Sequence, residues 1–219
     1  FWSSCKQVLH VGIPATATQM IGPVSGAIIT ALLARHGETV LAGFGIATRI
    51  EAVAVMLLFA LSGSIGPFVG QNWGANEKER VRSGVRAAYT FSLVWGFLAL
   101  TLLFFFGEYI ASVVDSNVEA VQAAGVYLSI VPLSYGAWGV LMMASASFNA
   151  LGKPLPSTLL SFLRMFIIYV PLALLFNHWF GYSGVFMATA IANCMIALLA
   201  YLWFKRSFFP NPSAALQPG

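Results

Sequence analysis

The chain has 219 residues, of which 59% are hydrophobic and only 8% charged, and its mean hydropathy is +0.83. A soluble domain carries about 25% charged residues, so the composition excludes one, and several separate apolar runs exclude a one-span anchor on a soluble domain. The formal charge of +4 does not point to nucleic acid, because the basic residues recur at alternate ends of the apolar runs instead of forming one patch.

The chain opens on Phe1-Trp2 and runs straight into a spanning pattern, with no cleavable signal peptide. The absence of an initiator Met suggests that it begins partway through a longer protein. Apolar runs predict helical spans at about 11–34, 40–69, 87–107, 120–150, 157–176 and 184–204. Each is long enough for a hydrocarbon core of about 30 Å. None alternates as the strands of a membrane barrel do. The expectation is an all-α integral membrane protein, a six-helix bundle over 1–206, with a disordered polar tail at 207–219.

Between the spans lie Arg35-His36-Gly37-Glu38, a basic loop from Lys78 to Arg86, an acidic connection from Glu108 to Glu119, the turn Gly152-Lys153-Pro154, and Asn177 to Tyr182. Lys and Arg collect at the first helix start, the basic loop, the Lys153 turn and Lys205-Arg206. The positive-inside rule then places both termini in the cytoplasm of a multi-pass protein of the cell membrane. Pro14, Pro23, Pro67, Pro132 and Pro171 fall inside spans; they read either as ordinary kinks or as hinges of a bundle that changes shape.

Charges and amides inside the spans are the functional candidates. Glu51 lies about 20 Å beyond Glu38 at about 1.5 Å per residue, near the bilayer centre. An ionisable group there costs several kcal/mol unless paired, hydrated or neutral, so Glu51 suits a proton or sodium site, against a structural ion pair. Arg49, two residues away, faces the other side of the helix and reads as structural. Gln19 on the first span falls at a similar depth and would share an ion site or serve as interhelical glue. Tyr135, Trp138, Ser145, Asn149 and Asn193 are candidates for a polar cleft, where Trp138 beside Met142 and Met143 suits lipophilic cations, with ordinary packing as the plainer alternative. Arg164, roughly 12 Å into the fifth span, reads as a structural brace. Cys5 and Cys194 offer no disulfide framework, and His10, His36 and His178 sit at borders without metal spacing. No nucleophile elbow, phosphate loop or catalytic carboxylate pair is present, so enzyme activity and a bound cofactor are not expected.

Three strings occur in order: Gly43-Phe44-Gly45-Ile46-Ala47-Thr48-Arg49-Ile50-Glu51; Gly66-Pro67-Phe68-Val69-Gly70-Gln71-Asn72-Trp73-Gly74-Ala75; and Phe148-Asn149-Ala150-Leu151-Gly152-Lys153-Pro154. With Gly12-Ile13-Pro14 and Gln19 they resemble the carboxy-terminal lobe of multidrug and toxic compound extrusion (MATE) transporters. Within that resemblance Gly70, Gln71, Asn72, Gly74 and Ala75 form the cytoplasmic loop motif. It implies two six-helix lobes around a cleft and export of cationic or lipophilic compounds against Na+ or H+. The partners implied are the bilayer, an amino-terminal lobe or second half-chain, and small organic cations. Some family members carry acidic residues on the first and fourth helices of this lobe; here 11–34 and 120–150 contain no Asp or Glu. Glu51 is left as the carboxylate within the spans. Two other functions stand beside the exporter: a lipid-linked oligosaccharide flippase, which would want a more basic cleft than Arg49 and Arg164 provide, and a non-transporting assembly module.

Overall fold

The computed structural model describes residues 20–208, and six helices follow one another in it. They are α1, whose described part is Met20–Ala34, α2 (Glu38–Gly74), α3 (Lys78–Val114), α4 (Val118–Ala150), α5 (Pro154–Phe180) and α6 (Tyr182–Phe208). Helices α2 to α6 are each long and apolar enough to cross a membrane, and no strand occurs among the described residues. Gln19, Pro14 and residues 209–219 of the expected tail lie outside the described residues, while Ser207 and Phe208, expected in the tail, belong to α6.

The helices outrun the spans. Helices α2 and α3 each have 37 residues, about 55 Å at 1.5 Å per residue, well beyond a core of about 30 Å. The basic segment predicted as a loop is the first two turns of α3, and only Ala75 to Glu77 breaks the helix there. Lys, Glu and Arg are good helix formers. Their exposed positions let the charges leave the apolar region without ending the backbone ladder. The acidic connection is likewise shorter than predicted: α3 runs to Val114, and Asn117 caps α4 by accepting the Ala120 N–H at 3.1 Å.

Helix α4 is the centre of the bundle. Its apolar window is 61% buried, against 22% for α2, α3 and α5, and it packs against α2, α3 and α6. Lipid tails are as apolar as the side chains they touch, so helix association rests on close packing. Small residues supply it. A Cβ on Gly96 of α3 would come within 2.2 Å of the Gly136 nitrogen of α4, and one on Gly43 of α2 within 2.5 Å of the Ala120 carbonyl. The outward faces of α2 and α3 carry exposed Val53, Met56, Phe97, Phe105 and similar residues, as lipid contact requires.

Two turns at the basic end are built alike. After α2, Glu77 N–H bonds Asn72 C=O at 2.9 Å and Asn76 N–H bonds Trp73 C=O at 3.0 Å. After α4, Lys153 N–H bonds Phe148 C=O at 2.9 Å and Gly152 N–H bonds Asn149 C=O at 3.1 Å. Both are Schellman closures, each with a left-handed residue: Asn76 at φ 61° and Gly152 at φ 71°. The two loop strings singled out in the sequence therefore encode the same helix stop. Phe208 packs edge to face with Trp73 and tilted against Phe148 beneath the turns, with the Lys153 Nζ 4.7 Å from the Phe208 ring centre.

Prolines reshape the two helices that matter most for the site. Pro132 has no N–H and its ring crowds the preceding turn; α4 tightens into a 3-10 turn over Val131–Ser134. Pro171 has the same effect in the opposite sense, with Leu163–Tyr169 widening into a π-helical stretch ahead of it. Arg164 sits in that widened stretch.

Candidate functional site

On α2, Phe44, Thr48, Glu51, Val55 and Leu58 recur at intervals of four and three and so share one face. Val55 and Leu58 are fully packed against the core, while Phe44, Thr48 and Glu51 open onto a cavity of about 190 Å³. Helices α1, α2, α4, α5 and α6 all contribute walls, including Ser25, Tyr127, Trp138, Arg164, Tyr169, Thr189 and Asn193. Aromatic contacts stiffen one side: Tyr127 and Phe186 lie 4.9 Å apart edge to face, and Phe44 lies 5.7 Å from Tyr127.

Glu51 is held by two phenols of α4. Tyr127 donates its hydroxyl to Glu51 Oε2, and Tyr135 donates to the same oxygen at 3.3 Å. The 3-10 turn Val131–Ser134 lies between the two tyrosines in the chain, so a change in that turn alters how both meet the carboxylate. Arg164 lines the same cavity from α5. It is anchored elsewhere: Arg164 Nη1 donates to Asn193 Oδ1 at 3.0 Å, Asn193 Nδ2 donates to Ser134 Oγ at 3.0 Å, and Ser134 Oγ donates to the Val131 carbonyl at 2.9 Å. A continuous polar chain thus runs from α5 through α6 to the 3-10 turn of α4.

The residues expected from the sequence separate into groups. Glu51, Trp138, Asn193 and Arg164 meet at the cavity; Tyr135 is buried behind it on Glu51. Ser145 and Asn149 lie further along α4, away from the cavity walls, and Asn149 is exposed. Met143 is fully buried in the core instead of standing in a cleft with Trp138. Arg49 points to the exposed face of α2. Arg164 was read as a brace; it lines the cavity as well, from the start of the π-helical stretch of α5. Sequence reasoning missed Tyr127, Thr48 and Ser134. Tyr127 had a signal in being a phenol eight residues before Tyr135 in an otherwise apolar span. Among the described residues no group of three or more His, Cys, Asp or Glu is placed to hold a metal ion.

Comparison with known proteins agrees with this architecture. The chain is 29% identical over 205 residues to a FAD transporter of Shewanella oneidensis, covering 94% of this chain and 45% of that protein. It is 24% identical over 204 residues to the probable multidrug resistance protein YpnP of Bacillus subtilis, covering 93% of this chain and 46% of that one. Among solved structures, the bent form of the MATE transporter VcmN of Vibrio cholerae superposes with a TM-score of 0.87 at 30% identity, over 95% of this chain and 48% of VcmN. The chain therefore spans about half the length of the relatives it matches, which corresponds to one lobe. With the MatE family model matching residues 14–175, the chain belongs to the MATE family of multi-pass membrane transporters, a family of carriers and not of enzymes.

Proposed function

We propose that this chain is one lobe of an ion-coupled exporter of cationic or lipophilic organic compounds, with the coupling ion bound at Glu51. The observation that carries the reading is the single carboxylate on the cavity wall, held by Tyr127 and Tyr135 and facing Arg164. A proton is the ion this arrangement favours. One carboxylate is neutralised by one proton, whereas sodium wants several oxygen ligands, and both hydroxyls on Glu51 are already oriented as donors. With Glu51 ionised, the two phenols and the Arg164 charge draw α2, α4 and α5 together. Protonation removes that pull and frees the 3-10 turn of α4 to reset. An ion that binds one arrangement better than the other shifts the population between them, which is what alternating access needs.

The cavity is about 190 Å³, below the roughly 300–1,000 Å³ of a drug-sized site. It suits an ion and a few waters, and the transported compound belongs to a larger cleft shared with a second six-helix lobe. The exposure of Arg49 supports this, because a charge facing lipid at mid-span costs about 2.5–3.5 kcal/mol even on the lowest scale. A second lobe covering that face of α2 removes the cost. The basic end, with Lys78 to Arg86, Lys153 and Lys205, faces the cytoplasm by the positive-inside rule, and both chain termini belong on that side.

Arg164 on the cavity wall and the likeness to a FAD transporter favour a second substrate reading, an anionic aromatic cofactor. The test is transport by the intact protein in proteoliposomes under an imposed pH gradient, comparing ethidium with FAD as cargo. Ethidium movement that follows the gradient and is lost in Glu51→Gln supports the proposal. Gradient-independent movement, or a Glu51→Gln protein that transports as well as the wild type, rejects it.

A further inference from the structure

A second cavity, of about 280 Å³, lies at the basic end between α3 and α6. We propose that it is a binding site for the phosphate headgroup of an anionic phospholipid. Its walls carry Arg82, Arg86 and Lys205, with Tyr89 and Tyr201 beneath them. Helices α3 and α6 each pack on the second half of α4 and barely touch one another, so the gap between them is a property of the fold. Tyr89 is only 9% exposed, and its hydroxyl has no hydrogen-bond partner among the described residues. A buried phenol O–H without an acceptor is destabilising; its oxygen is closed to solvent, so a turn of the ring toward an acceptor oxygen in the cavity is what relieves the cost. Phosphate supplies several, together with the negative charge that the Arg86 guanidinium and the Lys205 ammonium group call for. Glu79 lies 4.0 Å from Arg82, on the strongly exposed side, and is not among the cavity walls.

The register of the two helices selects a lipid over a free anion. Arg82, Arg86, Tyr89 and Leu93 fall at intervals of four, three and four along α3, and Lys205, Tyr201 and Leu198 at four and three along α6, so each set shares one helix face. The helices are antiparallel, with the basic residues at the same end. Leu93 is 54% and Leu198 61% exposed, one step deeper in the membrane than the tyrosines. Each face therefore reads charge, phenol, aliphatic in the order that headgroup, glycerol region and acyl chain present themselves. Basic pockets between transmembrane helices at the cytoplasmic side have this chemistry. The site does not involve Glu51, so its fate is independent of the coupling proposal.

The experiment is native mass spectrometry of the intact, delipidated transporter titrated with dioleoyl phosphatidylglycerol, with dioleoyl phosphatidylcholine and inorganic phosphate in parallel. The expected result is retention of phosphatidylglycerol over phosphatidylcholine. Affinity should fall roughly fivefold for each charge removed in Arg86→Gln and Lys205→Gln. Both positions are exposed, so folding is preserved. Tyr89→Phe, which removes only the hydroxyl, should also weaken retention, and the charge-matched control Lys78→Gln/Arg80→Gln should not. Equal retention of phosphatidylcholine, an equal loss in the control, or phosphate displacing the lipid at millimolar concentration would each overturn the assignment.

Discussion

Tyr127 of α4 donates its hydroxyl to the Glu51 carboxylate of α2, and it does so 76 positions along the chain from its acceptor. The pair ties the one carboxylate of the cavity to the helix at the centre of the bundle, next to the turn that Pro132 forces. The proposed coupling between ion and shape rests on this contact.

Removing the hydroxyls should therefore separate their two roles. In Tyr127→Phe, a hydrogen bond to a charged group worth about 1.5–3 kcal/mol is lost. The pH at half-maximal transport should move while the maximal rate falls less than in Glu51→Gln. Tyr135→Phe, whose bond is longer at 3.3 Å, should give a smaller displacement of the same sign. Profiles of initial transport rate against pH in proteoliposomes decide this; identical profiles for all three proteins would remove the tyrosines from the coupling step.

Asn193 is the joint between Arg164 and the 3-10 turn. Asn193→Ala leaves the half-buried Arg164 guanidinium and the buried Ser134 short of a partner and should destabilise the lobe by about 1–3 kcal/mol. Arg164→Lys should not restore wild-type behaviour, because a single ammonium does not reproduce the planar donor array. Thermal unfolding in detergent, monitored by tryptophan fluorescence, measures the first. Transport measures the second.

Close approach at Gly96 makes a packing prediction. Gly96→Ala places a methyl against the Gly136 backbone and should cost about 1–3 kcal/mol by overpacking. Gly45→Ala meets nothing within 4 Å and should be neutral or slightly stabilising, since alanine is the better helix former. The melting temperatures of the two variants should move apart; equal values would mean that α3 and α4 do not pack as described.

The helix stop at Asn76 depends on its left-handed backbone. Asn76→Gly should be tolerated, whereas Asn76→Val should cost about 1–2 kcal/mol and lower the yield of folded protein. Folded yield by fluorescence-detected size exclusion is the check.

Sidedness is open to direct labelling. Ser83→Cys and Asn117→Cys, both at exposed positions and with Cys5 and Cys194 replaced by Ser, should react with a membrane-impermeant maleimide from opposite sides. Ser83→Cys should react only after the cells are opened. Labelling of Ser83→Cys in intact cells would invert the orientation.

The membrane class, the helical content and the six-helix order were legible because lipid imposes one requirement on every residue of a span, and that requirement shows in composition. Glu51 was legible for the same reason: a carboxylate in an apolar run is costly wherever it points. The ends of α2 and α3 were not, since Lys78 to Arg86 signals where the membrane stops and not where the helix does.

Only tertiary structure decided which polar groups meet. Tyr127 and Asn193 look alike in sequence to any phenol or amide in a span, and Ser145 and Asn149 looked equally eligible as cleft residues. The selection was made by helix phase. Tyr127 and Tyr135 flank the tightened turn of α4, Arg164 sits in the widened stretch of α5, and on α2 the two-residue offset from Glu51 leaves Arg49 outside. Phase errors accumulate along a helix residue by residue, so composition alone carries no record of them; packing against four neighbouring helices resolves them at once.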